Sequence, residues 1–288
     1  MHITQPTETL HVTITAIDSH AHVFTRGLPL AAVRRHAPQH DATLAAYLAL
    51  LDAHGISHGV LVQPSFLGNN NDFLLDALRA CPHRLRGVAV VDPEVSDSTL
   101  EVVAEAGVCG IRLDLVGLPL PDLAQPTWLR LFALVRALDW HVELHRESYD
   151  LGRAAQPVLD AGCKLVVDHF GRPVTQPATA DTGFKWLLSA ADTGQVWVKL
   201  SAAYRNWPPA AAGTATHDAT QALLNAFGAG RLLWGSDWPH TQHREITHFA
   251  AAHTALADWV PDANARRRIL VDTPAQLFQF NQGDTHDQ

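Results

Sequence analysis

Short β-rich runs, several of them continuously apolar at their centre, recur along this chain, each followed by a stretch whose apolar residues fall at i, i+3, i+4 spacing. The runs cover 16–22, 58–65, 86–93, 110–116, 141–147, 164–171, 196–202 and 232–239. The stretches between them predict helices over 43–54, 71–81, 98–106, 128–138, 152–161, 183–193 and 217–227. Runs such as Gly59-Val60-Leu61-Val62 and Lys164-Leu165-Val166-Val167 do not alternate with polar residues, which is how strands covered on both faces read. Eight strands alternating with helices predict parallel pairing through right-handed crossovers, closed as an α/β (β/α)8 TIM barrel. An open doubly wound sheet is the rival, but no glycine-rich phosphate loop follows the first run. Residues 246–280 read as closing helices, with Asp272-Thr273-Pro274 as a helix start, and 1–15 as an N-terminal extension.

Composition narrows the class. The chain has 288 residues and 47% hydrophobic content, enough for one large barrel domain over 1–288. No apolar run is long enough to span a bilayer, and 1–15 has no secretory pattern, so no membrane partner is expected. Cys81, Cys109 and Cys163 are scattered and fit neither a disulfide framework nor a zinc ribbon, which points to a reducing cytoplasm. A net charge of −8, with basic residues clustering only at Arg266-Arg267-Arg268, argues against nucleic acid.

In such barrels the chemistry sits at the C-terminal strand ends. The first run ends in His20 and His22, which at i, i+2 spacing share one face of a strand. Such a pair can grip a metal or polarise a carbonyl oxygen. Later ends supply Gln63 and Ser65, Asp92, Arg112 and Asp114, His145 and Glu147, Asp168, His169 and Arg172, Lys199, Ser201 and Arg205, then Asp237 and His240. Three imidazoles and a carboxylate, from His20, His22, His145 and Asp237, suit one divalent ion such as zinc or manganese, with a position open for water. His169 can bond a carbonyl oxygen, and Arg172 can fork onto a substrate carboxylate. Asp237 lies among Trp234 and Trp238, a dry setting expected to raise its carboxyl towards use as a base. Plainer readings stand beside these: a helix cap for Asp237, an internal ion pair with Asp114 or Glu143 for Arg112, and rim positions for His145 and Arg205.

Three ordered motifs, Ile17-Asp18-Ser19-His20-Ala21-His22, Val167-Asp168-His169-Phe170-Gly171-Arg172-Pro173 and Leu233-Trp234-Gly235-Ser236-Asp237-Trp238-Pro239-His240, resemble the amidohydrolase superfamily. Within it the chain resembles the 2-pyrone-4,6-dicarboxylate lactonase group, over about 17–280. The resemblance implies a hydrolase that opens an anionic ring lactone. Asp237 would activate water, His20, His22 and His169 would polarise the carbonyl, and Ser65, Arg112, Arg172 and Arg205 would hold substrate carboxylates. His240, at the same mouth, is a further substrate-binding candidate. A second arginine of those lactonases aligns with Leu118, so a related anionic lactone is implied as readily as the pyrone itself. Metal-binding members of the superfamily use a fifth-strand histidine, as at His145, whereas the pyrone lactonases work without metal, so both states stay open. The alternatives are a metal-dependent decarboxylase of an unsaturated acid and a non-catalytic ligand-binding barrel.

Overall fold

Eight parallel strands form one sheet in sequence order in the computed structural model, which describes residues 13–280. They are β1 (Ile17–Ala21), β2 (His58–Val62), β3 (Leu85–Ala89), β4 (Val108–Asp114), β5 (His141–His145), β6 (Lys164–Val167), β7 (Val196–Ser201) and β8 (Leu232–Gly235). Helices α1 (Leu44–Ala53), α2 (Asp72–Ala80), α3 (Asp97–Glu105), α4 (Pro126–Ala137), α5 (Ser148–Asp160), α6 (Thr182–Ser189) and α7 (Pro209–Phe227) follow the first seven strands. The closing segment holds α8 (Phe249–Trp259), α9 (Ala263–Arg267) and α10 (Thr273–Leu277). This is the (β/α)8 barrel that the hydrophobic pattern predicts. No helix among the described residues is long and apolar enough to cross a membrane. The extension expected over 1–15 lies outside the described residues up to residue 12.

The ring closes by a short seam rather than a full ladder. Asp237 N–H donates to the His20 carbonyl and His22 N–H to the Trp238 carbonyl, both at 2.8 Å. Asp18 clamps the seam from the helix side. Its buried carboxylate accepts from the backbone N–H and hydroxyl of Ser236, at 2.8 and 2.6 Å, and from the Tyr47 hydroxyl on α1, at 3.1 Å. Burial still pushes this carboxyl up to about 6, against the pull of those hydrogen bonds.

A bulge in β1 sets the direction of the first motif. The pairing of β1 with β2 shifts register between Asp18 and Ala21. Ile17 packs inside the barrel with Val60, Val88, Val166 and Leu233, while Ala21 packs in the layer between barrel and helices. The extra residue reverses the alternation, so that His20, three positions beyond Ile17, also points inward. Gly235 on β8 leaves it room, because a Cβ there would lie 2.6 Å from that of His20.

The opposite end of the barrel is sealed by the chain's own last described turn. The Phe278 ring lies 5.3 Å from that of His141, and the Phe280 ring 4.9 Å from that of His58. Ligands therefore approach from the C-terminal strand ends. There the strands stop short of the predicted spans: β6 ends at Val167 rather than residue 171, and β8 at Gly235 rather than 239. The reason is backbone geometry. Among the described residues, seven of the nine non-glycine residues with positive φ lie beyond β6, β7 and β8: His169, Phe170, Arg172, Ala202, Asp237, His240 and Gln242. A left-handed backbone cannot continue a ladder, and strain of this kind collects where side chains must be aimed.

Asp18→Ala should therefore destabilise the protein by about 3 kcal/mol, since it strands several buried donors. Urea unfolding checks this, and an unchanged midpoint would mean that the backbone seam alone holds β1 to β8.

Candidate functional site

The strand ends enclose a cavity of about 360 Å³, walled by His22, Ser65, Arg112, His145, His169, Arg172, Arg205 and Asp237 among others. At its floor the His20 and His22 rings stand 4.9 Å apart, as their spacing predicts. The Nε2 atoms of His20, His22 and His169 lie 3.7, 3.8 and 4.0 Å from Asp237 Oδ1. That oxygen is buried and has no hydrogen-bond partner among the described residues. The other oxygen, Oδ2, accepts from Arg205 Nε at 2.8 Å and from the Tyr204 hydroxyl. Asp237 is thus held by one oxygen and presents the other.

The electrostatics correct one expectation. Burial alone would raise the Asp237 carboxyl, but the adjacent Arg205 guanidinium together with His169, His20 and His22 outweighs it and holds the group well below the usual carboxylate range. The tryptophans do not wall it in: Trp238 stacks on Tyr47, and Trp234 Nε1 donates to the Ala252 carbonyl. Burial also pushes the imidazoles down, His20 to about 4 and His22 and His169 well below their usual value, so all three are neutral near pH 7. The hydrogen-bond partners limit what each ring can do. His22 Nδ1 donates to the Val62 carbonyl at 2.7 Å, which leaves Nε2 a bare lone pair. It can ligate a cation or accept a proton, but it cannot donate to a carbonyl oxygen as the family resemblance implied.

The expected four-ligand metal set is not assembled. Two groups of side chains bring ligand atoms within 4.8 Å of one another among the described residues: His20, His22 and Asp237, and His20, Asp168 and His169. His145 belongs to neither. Its Nδ1 meets Asp114 Oδ1 at 3.1 Å and its Nε2 receives Arg172 Nη1 at 3.3 Å, so both nitrogens are engaged on the cavity wall. The first group fits a divalent ion by its donor chemistry. It offers a bare imidazole nitrogen on His22 and an unpartnered buried carboxylate oxygen on Asp237. The second group lies beside Lys199 and Arg112, two cations that disfavour a third.

Below the cavity floor lies an ion cluster. Arg112 donates to Asp168 Oδ2 at 2.9 Å and approaches Glu143 Oε1 at 3.4 Å, and Lys199 bonds Glu143. Arg112 is therefore already committed to carboxylates, as the plainer reading had it. Arg205 is committed to Asp237, and Ser65 accepts weakly from Arg35 at 3.4 Å. Arg172 alone of the expected arginines makes no ion pair among the described residues. His240 stands off the wall, with Nδ1 3.3 Å from the Tyr204 hydroxyl. Asp92 is remote from the site and caps a turn through Glu94 N–H.

The profile of the amidohydrolase family matches residues 17–280. The chain belongs to that family. A solved structure from Pseudomonas putida, provisionally named a 2-pyrone-4,6-dicarboxylic acid hydrolase, matches at TM-score 0.88 and 45% identity, covering 94% of this chain and 99% of the other. A 4-sulfomuconolactone hydrolase of Rhizobium radiobacter is 31% identical over 275 residues, which are 91% of this chain and 89% of that protein. A 2-pyrone-4,6-dicarboxylate hydrolase of Comamonas testosteroni is 30% identical over 278 residues, 91% of this chain and 90% of the other.

Sequence reasoning missed one part of this amidohydrolase site. Arg35 and His36, on the loop between β1 and α1, enter the cavity wall, where Arg35 bonds Asp114 Oδ2 at 2.7 Å. Their only signal was position, on a long polar connection after the strand that carries the histidines.

An unpaired guanidinium in a partly dry cavity should grip carboxylates. Arg172→Met should weaken the binding of a polycarboxylate probe such as citrate by about tenfold or more, from a charge-assisted bond worth roughly 1.5–3 kcal/mol. Calorimetry checks this. Equal affinity in the variant would place the anion elsewhere.

Proposed function

We propose that this amidohydrolase opens the ring of a small anionic lactone by hydrolysis of its ester bond. The observation that carries the reading is Asp237, whose buried Oδ1 is unpartnered and faces both the cavity and three neutral imidazoles. The named relatives, which act on a pyrone dicarboxylate and a sulfomuconolactone, support the substrate class.

Asp237 Oδ1 accepts a proton from a water whose oxygen attacks the lactone carbonyl carbon. Arg205 and Tyr204 hold the carboxylate by Oδ2, so that Oδ1 keeps its aim. His169 presents Nε2 on the same side, as does His20 once its proton turns from His22 to the substrate, and with the proton there each would stabilise the carbonyl oxygen as it becomes an oxyanion. When the tetrahedral centre collapses, the bond from carbonyl carbon to ring oxygen breaks and Asp237 returns its proton to that oxygen. The product is an open-chain hydroxy acid, or the enol of a keto acid where the ring oxygen is borne by a double-bonded carbon. Arg172 pairs with the substrate's remote anionic group and fixes the carbonyl over Asp237. A divalent ion held by His20, His22 and Asp237 would add Lewis-acid polarisation of the carbonyl and a more acidic water.

Asp237→Asn should lower kcat for an anionic lactone by roughly a thousandfold, within the range a positioned base contributes, while the far-ultraviolet circular dichroism stays unchanged. A panel of lactones read by pH indicator measures this. Turnover near the wild-type rate would sink the assignment.

A further inference from the structure

Directly beneath the histidine cluster lies a residue that lactone hydrolysis as described does not use. Lys199 is fully buried on β7 and bonds Glu143 Oε2. Its Nζ lies 3.1 Å from His20 Nδ1 and 3.6 Å from Asp168 Oδ1. An ammonium has three donors and no acceptor. Its contact with His20 is a hydrogen bond only when Nδ1 carries the lone pair and Nε2 the proton.

The cavity side of the ring agrees with that assignment. His22 Nε2 is bare because Nδ1 donates to the Val62 carbonyl, and His20 Nε2 lies 3.3 Å from it. The proton of one ring thus points into the lone pair of the other. In this arrangement Lys199, His20, His22 and Val62 form one directed chain of donors, and neither ring offers a free lone pair to the cavity.

A second arrangement lies one proton position away. Asp168 Oδ1 is 3.3 Å from His20 Nδ1, buried and without a partner. With the His20 proton on Nδ1 and given to Asp168, Nε2 would turn a bare lone pair towards His22 Nε2 and Asp237 Oδ1. Those three atoms are the ligand set of the first group. A histidine that ligates a metal commonly gives its other N–H to a carboxylate in this way.

We propose that Lys199 is a positioning residue that decides which ring nitrogen of His20 carries the proton, and thereby keeps the affinity of the His20–His22–Asp237 cluster for a divalent cation below what the ligand set alone would give. The inference rests on the geometry beneath the cluster and not on the lactone reading, so each can fail without the other.

The test compares Zn2+ affinity, by competition with a chromophoric chelator, in wild type, Glu143→Gln and the double variant Lys199→Met/Glu143→Gln. The double variant removes the ammonium together with its counter-charge. It should bind Zn2+ about 10- to 100-fold tighter than Glu143→Gln, the scale on which second-layer partners act on metal sites. Long-range 1H–15N spectra of the metal-free wild type, labelled at histidine and assigned by a His20→Gln variant, should place the His20 proton on Nε2. Equal or weaker Zn2+ binding by the double variant overturns the proposal, as does a metal-free wild type with the proton on Nδ1. Should the double variant not fold, the wild-type spectrum decides alone.

Discussion

Two cations and two carboxylates inside the barrel hold the rest of the site in place. Arg112 and Lys199 share Glu143 and Asp168 at almost no exposure to solvent, so each charge depends on the others for what water would otherwise supply. Removing one member of such a set leaves an uncompensated buried charge, at a cost of about 3–5 kcal/mol. A single change in the cluster is therefore costly, and this fixes β4, β5, β6 and β7 to one another at the level of the cavity floor. His20 rests on it through Nδ1, and Asp237 rests on His20 through the seam.

The same cluster divides the arginines by role. Those that lie against carboxylates, Arg112 and Arg205, shape the floor and hold a carboxylate still. Arg172 is reached only by His145 among its hydrogen-bond partners, and is left for a ligand. Its left-handed backbone, following His169 and Phe170 in the same region, puts the guanidinium over the cavity instead of along β6. Backbone strain beyond three strands and burial of charge beneath them serve one arrangement: fixed cations below, one available cation above, and a carboxylate oxygen between.

Much of this was legible in the sequence, for physical reasons. Strands buried on both faces are apolar throughout, so 58–65 and 164–171 declared themselves, and the alternation with helices fixed the barrel. The spacing of His20 and His22 placed both rings on one face because i and i+2 side chains share a side of a strand. What was not legible depends on contacts between distant segments. That Ile17 and His20 both point inward follows from a bulge that no local pattern marks. The state of Asp237 was misread because its tryptophan neighbours in sequence turn to the helices, while Arg205, 32 positions away, joins the three histidines in holding its carboxyl down. His145 fitted a ligand count, but its two nitrogens were already spoken for by Asp114 and Arg172. Arg35 came from a loop with no periodicity at all.

The seam between β1 and β8 joins the beginning of the barrel to its end, and the side chains of the candidate site lie on either side of it. His20 and His22 come from the first strand and Asp237 from just beyond the last, and Phe278 and Phe280 close the far opening with the final described turn. No contiguous fragment of the chain can therefore possess the site. Until the last strand has docked on the first, the imidazoles and the carboxylate belong to separate ends of a polymer, and assembling the candidate site is the same event as completing the ring. A ligand that bridges His22 and Asp237 would act as a staple between those ends, so occupancy of the cavity and integrity of the barrel rise and fall together.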